Sequence, residues 1–336
     1  MRTSVKGLIA LAFAILFPVT SQAQSVESFY RGKTVTVMIG YGVGGSDDLW
    51  ARLLARFMGR YIPGQPNVVP QNVPGAGSLV AANQLYNTAP KDGTVIALIN
   101  RGVPFEAILG GNGVQFEPLK FNWIGSPDSD TIVGFIRADA PIKSVAELRT
   151  KELIVAATGS GADSQTYPDV LRKLFGLNIR IVSGYPGSRD MNLAVERGEV
   201  HGTFISYDTA AREPSFRDGS RRIFVQGAIT PDERMKDIPT LAGLAKSDDE
   251  QRAIEFFLLR AGMGRPFVAA PTVPPERLTA LREAFAAALR DPELIEEAKK
   301  GGLNISYVSP GTLAAIVASG YKADKATIAR VRDAMR

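Results

Sequence analysis

Short apolar runs alternate with amphipathic stretches along nearly the whole chain, and that alternation predicts an α/β protein. Val35 to Ile39 is apolar without interruption and reads as a buried strand. Beyond the turn Gly44-Gly45-Ser46-Asp47-Asp48, Leu49, Leu53 and Phe57 recur on one helical face while Arg52, Arg56 and Arg60 share another, which predicts a helix from Leu49. An extended run over Asn67 to Val69, the turn Pro74-Gly75-Ala76-Gly77, a helix over Leu79 to Tyr86 and a strand over Thr94 to Ile99 complete a first block. A second block follows Asn122-Trp123-Ile124-Gly125, with Ile132 to Ile136 extended and Ser144 to Glu147 patterned as a capping box. In it, the strand Leu153 to Ala157 feeds Gly159-Ser160-Gly161-Ala162-Asp163-Ser164 and a helix to Phe175, ended by Gly176. Ile179 to Val182 then leads through Tyr185-Pro186-Gly187-Ser188 to a helix ended by Gly198, and strands over Gly202 to Ile205 and Arg222 to Gln226 close the block.

The remainder reads as a return to the first block: an extended run from Gly262 to Ala269, a helix from Pro274-Pro275 to Leu289, and a terminal helix opened by Ser309-Pro310. Strands alternating with helices in this way predict a mostly parallel sheet rather than a sandwich or a bundle. The return implies one lobe inserted into another, with lobe 1 formed by 24–127 and 229–336 and lobe 2 by 128–228. Hinges are expected near Pro127 to Val133 and near Gly227 to Thr230, with the glycine loops facing a cleft. One large sheet, or two sequential domains, is the plainer alternative.

The first 23 residues alter the picture of where the chain works. Arg2 and Lys6 precede the apolar run Leu8 to Phe17, and Ser21-Gln22-Ala23 offers a small-x-small cleavage site, the pattern of a secretory signal peptide cut after Ala23. That run is shorter than the roughly 20 residues a bilayer-spanning helix needs; an uncleaved interfacial anchor is the alternative. Removing Arg2 and Lys6 lowers the formal charge from +5 by two, and the remaining basic residues are interspersed with acids, so no nucleic-acid partner is expected. The chain has no cysteine and a single histidine, His201, which argues against zinc or iron; no metal and no cofactor are expected.

The glycine turns carry the candidate chemistry. Adjacent glycines let a backbone approach a ligand, and helix first turns offer free N–H groups to an anion, with Asp48 placed to cap. A dinucleotide fingerprint fails because Asp47 occupies the third glycine position of the run begun by Gly42-Val43-Gly44, and a P-loop fails because no Gly-Lys-Ser or Gly-Lys-Thr follows any of the three turns.

Short motifs in a consistent order resemble the Bug family of periplasmic solute-binding receptors, which serve tripartite tricarboxylate transporters. They are Phe29-Tyr30-Arg31-Gly32-Lys33, Gly44-Gly45-Ser46-Asp47-Asp48 with Ala51-Arg52, Asn72-Val73-Pro74-Gly75-Ala76-Gly77, and Pro90-Lys91-Asp92-Gly93-Thr94. Gly159-Ser160-Gly161, Tyr185-Pro186-Gly187, Gly198-Glu199-Val200, Asp237-Ile238-Pro239-Thr240-Leu241, and Ala270-Pro271 with Pro274-Pro275 continue the series. The resemblance implies a two-lobe, type II periplasmic-binding-protein-like fold that closes on a small organic acid, a di- or tricarboxylate foremost. It further implies a non-enzymatic monomer in the periplasm, with the large and small membrane subunits of a transporter as partners.

Ligand contacts are expected from Gly44, Gly45, Ser46, Asp47 and Asp48; from Gly75, Ala76, Gly77 and Ser78; and from Ser160, Gly161, Ala162, Asp163 and Ser164. Asn100 and Arg101 follow a strand, and Arg101 is either a carboxylate clamp or an arginine paired to Asp47 or Glu106 or solvated. Asp47, where the family carries a neutral residue, either accepts from a ligand hydroxyl or ammonium or is a solvated acid. Tyr185 and Gly187 match the family's turn; Tyr207 and Asp208 follow a strand and could reach the cleft. Tyr167-Pro168 replaces the family's His-Leu pair. His201 reads as a solvated residue rather than a base, and Trp50 as core, with Tyr41 flanking the first loop. The rival functions are a secreted α/β hydrolase or lyase, disfavoured by the absence of a Gly-x-Ser-x-Gly elbow, and a solute sensor feeding a signalling receptor.

Overall fold

A computed structural model of the chain describes residues 25–335, so the expected signal segment lies outside the described residues. The strands are β1 (Thr34–Ile39), β2 (Asn67–Asn72), β3 (Val95–Leu98), β4 (Asn122–Gly125), β5 (Ile132–Arg137), β6 (Leu153–Ala157), β7 (Ile179–Ser183), β8 (Gly202–Ser206), β9 (Arg221–Gly227) and β10 (Phe267–Ala269). They form two five-stranded sheets, ordered β2-β1-β3-β10-β4 and β7-β6-β8-β5-β9. The chain therefore builds two lobes rather than one large sheet.

Both sheets are mixed, where a mostly parallel arrangement was expected. β1 runs parallel to β2 and β3, and β6 parallel to β7 and β8. The reversed strands are β10, antiparallel to β3 and β4, and β5, antiparallel to β8 and β9. Each is the first strand laid down after the chain crosses between sheets. A chain that crosses over at the carboxyl ends of the parallel strands must lay its first strand the other way.

Several helices begin or end differently from the sequence pattern. The first long helix spans Ser46–Met58, beginning before Leu49, because Gly45 takes an extended conformation as its N-cap and the two aspartates fit into the first turn. Asp48 is therefore not the cap. Ser144 makes no capping bond: Glu147 is drawn to Lys151, and Val145–Arg149 closes as a 3₁₀ turn. Of the run Gly262 to Ala269 only β10 is a strand, since Leu259–Met263 is a 3₁₀ turn ended by Gly264 at φ 58°. The expected terminal helix is two, Pro310–Lys322 and Lys325–Met335.

The stretch after Gly227 serves both sheets. β10 enters the first, while the helices Asp248–Leu258 and Lys325–Met335 pack on each other, and the latter also lies against Asp163–Leu174 beside the second sheet. Phe256 meets Phe105 edge-on at 6.3 Å between centroids, and Phe257 meets Tyr167 at 4.8 Å. The fully buried Arg260 stacks over Phe105 and Phe257. Trp50 is buried among Leu54, Phe57 and Phe285 of the first lobe, a core residue.

Candidate ligand-binding cavity

Three helices begin at one cavity between the sheets. Ser46, Asp163 and Ser188 are the first residues of Ser46–Met58, Asp163–Leu174 and Ser188–Glu196, and all three line it. The space measures about 520 Å³ with its open mouth included. Its lining is in part apolar, from Ile132, Met191, Phe204 and Ile205, and in part polar, from Tyr41, Asp47, Asn100, Arg101, Asp163 and Arg265.

The first glycine loop is fixed by Asp48. Its carboxylate accepts from the Gly44 N–H at 2.8 Å, from Arg52 Nε at 2.9 Å and from Asn72 Nδ2 at 2.8 Å. Burial alone would raise its pKa, but these three donors outweigh burial and hold it below the usual carboxylate value. Asp48 is thus occupied by structure, which leaves Ser46 and Asp47 to face the cavity while Gly44 and Gly45 shape the turn. Burial raises the Asp47 carboxyl, against the pull of Arg265 and Arg101.

The second loop stays outside the cavity wall and supports it instead. Ser78, buried at φ 79°, accepts the Asn100 N–H at 2.8 Å, so it positions the residue beside Arg101. Ala76 and Gly77 approach the third loop, while Gly75 packs against Val80: a Cβ on Gly77 would stand 2.5 Å from the Ser160 carbonyl oxygen. In the third loop Ala162, Asp163 and Ser164 reach the cavity, whereas Ser160 donates to Glu106 at 3.1 Å and Gly161 packs against Gly102.

Arg101 pairs with Asp163 at 3.2 Å, not with Asp47 or Glu106, and donates to the carbonyls of Asp130 at 3.0 Å and Ala261 at 3.3 Å. It is buried and joins the two lobes, and its partners keep it charged although burial acts in the opposite direction. Arg265, which sequence reasoning missed, is its counterpart. It contacts Asp128, donates to Ser206 Oγ at 2.7 Å and to Ser46 Oγ at 3.3 Å, and lies 3.7 Å from Asp47. Burial lowers its pKa to about 10, so it remains charged at neutral pH. No local pattern marks it: Gly264-Arg265 lies just before β10, and a Cβ on Gly264 would strike the Asp128 carbonyl, a close approach between residues far apart in the sequence.

Tyr185, Gly187, Tyr207 and Asp208 do not line the cavity; their neighbours Ser188, Ser206 and Thr209 do. Gly187 is the N-cap of Ser188–Glu196, and Pro186 accepts the Gly42 N–H at 2.9 Å across the cleft. Asp208 joins Asp130 and Asp232 around Arg234, which stacks on the Tyr207 ring. His201 is neither solvated outright nor at the cavity. Its Nδ1 accepts the Ile154 N–H at 2.9 Å, and burial, with Arg137 nearby, lowers its pKa. Tyr167 lies in the core. Among the described residues no cluster of His, Cys, Asp and Glu could hold a metal, and no helix is long and apolar enough to cross a membrane.

Two α/β lobes meeting over a polar cavity define the periplasmic-binding-protein-like class. The model of the tripartite tricarboxylate transporter family receptor matches residues 51–332, and the chain belongs to that family. It is 26% identical over 336 residues to the UPF0065 protein in the gbd 5′ region of Cupriavidus necator, covering 96% of this chain and 95% of that one. MatC from Rhodopseudomonas palustris with bound malate superposes with a TM-score of 0.70 at 20% identity, over 90% of this chain and 99% of that one. Another R. palustris protein, solved with adipate, gives 0.67 at 19% identity, over 88% and 97%.

Proposed function

We propose that this protein is a periplasmic receptor that captures a small organic carboxylate between its lobes and presents the closed form to the membrane subunits of a tripartite tricarboxylate transporter. The observation that carries this reading is the convergence of three helix N-termini on a cavity that also holds two buried arginines. Micromolar capture requires about 8 kcal/mol, and hydrogen bonds to a charged group contribute about 1.5 to 3 kcal/mol each, so four or more such bonds suffice after the cost of ordering. Family membership and the malate and adipate bound by its structural neighbours support a carboxylate and a transport role. The chain is read as a monomer without catalytic activity, exported and cleaved after Ala23.

Thermal denaturation across mono-, di- and tricarboxylates, amino-substituted ones included, tests the reading. A cognate acid at 100 times its Kd stabilises the fold by about 2.7 kcal/mol, and a strain lacking the gene loses uptake of that acid. If no carboxylate moves the transition, the reading fails.

A further inference from the structure

Resting on the carboxylate reading, a narrower ligand class follows from the acids in the cavity. Asp163 is buried, and its Oδ2 faces Arg101 Nε at 3.2 Å and the Asn100 amide at 3.4 Å. Its Oδ1 is buried without any hydrogen-bond partner. A buried carboxylate oxygen left unpaired is costly, so this atom of a cavity-lining residue calls for a donor from outside the chain.

Charge balance calls for the same thing. Arg101 is matched by Asp163 and Arg265 by Asp128, which leaves Asp47, 3.7 Å from Arg265, as the uncompensated member. Counted as charged, these five groups sum to a single negative charge. A dicarboxylate would bring two more negative charges into a confined, poorly solvated space. An added hydroxyl would serve Oδ1 but leave that excess untouched; an ammonium serves both.

We propose that the ligand is an ammonium carboxylate of the amino-acid class, its carboxylate held at the helix N-termini and its cationic nitrogen received by Asp163 and Asp47. These two aspartates stand on opposite lobes, in the first turns of Asp163–Leu174 and Ser46–Met58. A nitrogen bridging them makes contacts that exist only when the lobes are together, so it favours closure itself.

The test compares the proteinogenic and short ω-amino acids with matched acids carrying hydrogen or hydroxyl in place of the ammonium, by thermal shift and then titration calorimetry on the mature chain. The expected ligand is an amino acid that binds at least tenfold tighter than both of its matched acids. In Asp163→Asn, and separately in Asp47→Asn should the first fold poorly, that preference falls by tenfold or more. A plain or hydroxy acid that binds as tightly as its amino counterpart overturns this inference and leaves the carboxylate reading standing. No stabilisation by either set overturns both.

Discussion

Arg234 gathers three carboxylates: Asp232 at 2.6 Å, and Asp130 and Asp208 at 3.0 Å each. The bond from Arg234 outweighs burial and holds the Asp232 pKa down to about 2. A carboxylate with a depressed folded pKa adds stability that is full above its unfolded value near 3.8 and is lost as pH falls toward 2. Asp232→Asn is therefore expected to cost about 2 kcal/mol near neutrality, with roughly half of that difference left at pH 3, measured by urea denaturation of both proteins at pH 7 and pH 3. Asp130 pulls the other way, since burial and then Asp208 raise its pKa, so the wild-type profile is shallower than Asp232 alone would make it. At this scale legibility followed local geometry. Ser46 and Asp163 stand directly after glycine turns that local pattern marks, and both reach the cavity. Arg265 arrives there because β10 runs against its neighbours, a tertiary fact that no short window contains. Tyr207 and Asp208 show the converse: one residue of helical rotation puts Ser206 and Thr209 at the cavity and sends the expected pair to Arg234.

At the scale of elements, the helix Lys325–Met335 matters more than its position at the chain's end suggests. It packs on Asp163–Leu174, the helix whose first turn lines the cavity. Val331 of that helix is buried, so Val331→Asp places a charge in an apolar core and is expected to cost about 3 kcal/mol or more. Hydrogen exchange should locate the damage: faster exchange across 163–174 with little change in β1 to β3. Uniform exchange through both lobes would show that this helix is not a local support. Most strands were visible as apolar runs, and the helix stops at Gly176 and Gly198 as left-handed glycines. The sequence pattern did not reveal Lys325–Met335 as a separate helix, because a two-residue break at Ala323 and Asp324 carries no glycine or proline to mark it.

For the whole molecule, the lobes approach each other through main chain. Gly42 donates to Pro186, Gly77 faces the Ser160 carbonyl, and a Cβ on Gly102 would lie 2.0 Å from the Gly161 oxygen. Gly102→Ala is thus expected to hold the lobes apart: ligand affinity falls at least tenfold, and small-angle scattering shows no compaction at saturating ligand, while the wild type contracts. The two-sheet architecture was readable from the rhythm of the chain. The reversed strands β5 and β10 were not, since strand direction depends on where a crossing chain re-enters. The glycine contacts also bear on how such a molecule can change over generations. The lobes meet through backbone, whereas the cavity is lined by side chains such as Asp47, Asp163 and Met191. Substitutions in the lining can therefore accumulate without redesign of the way the lobes meet.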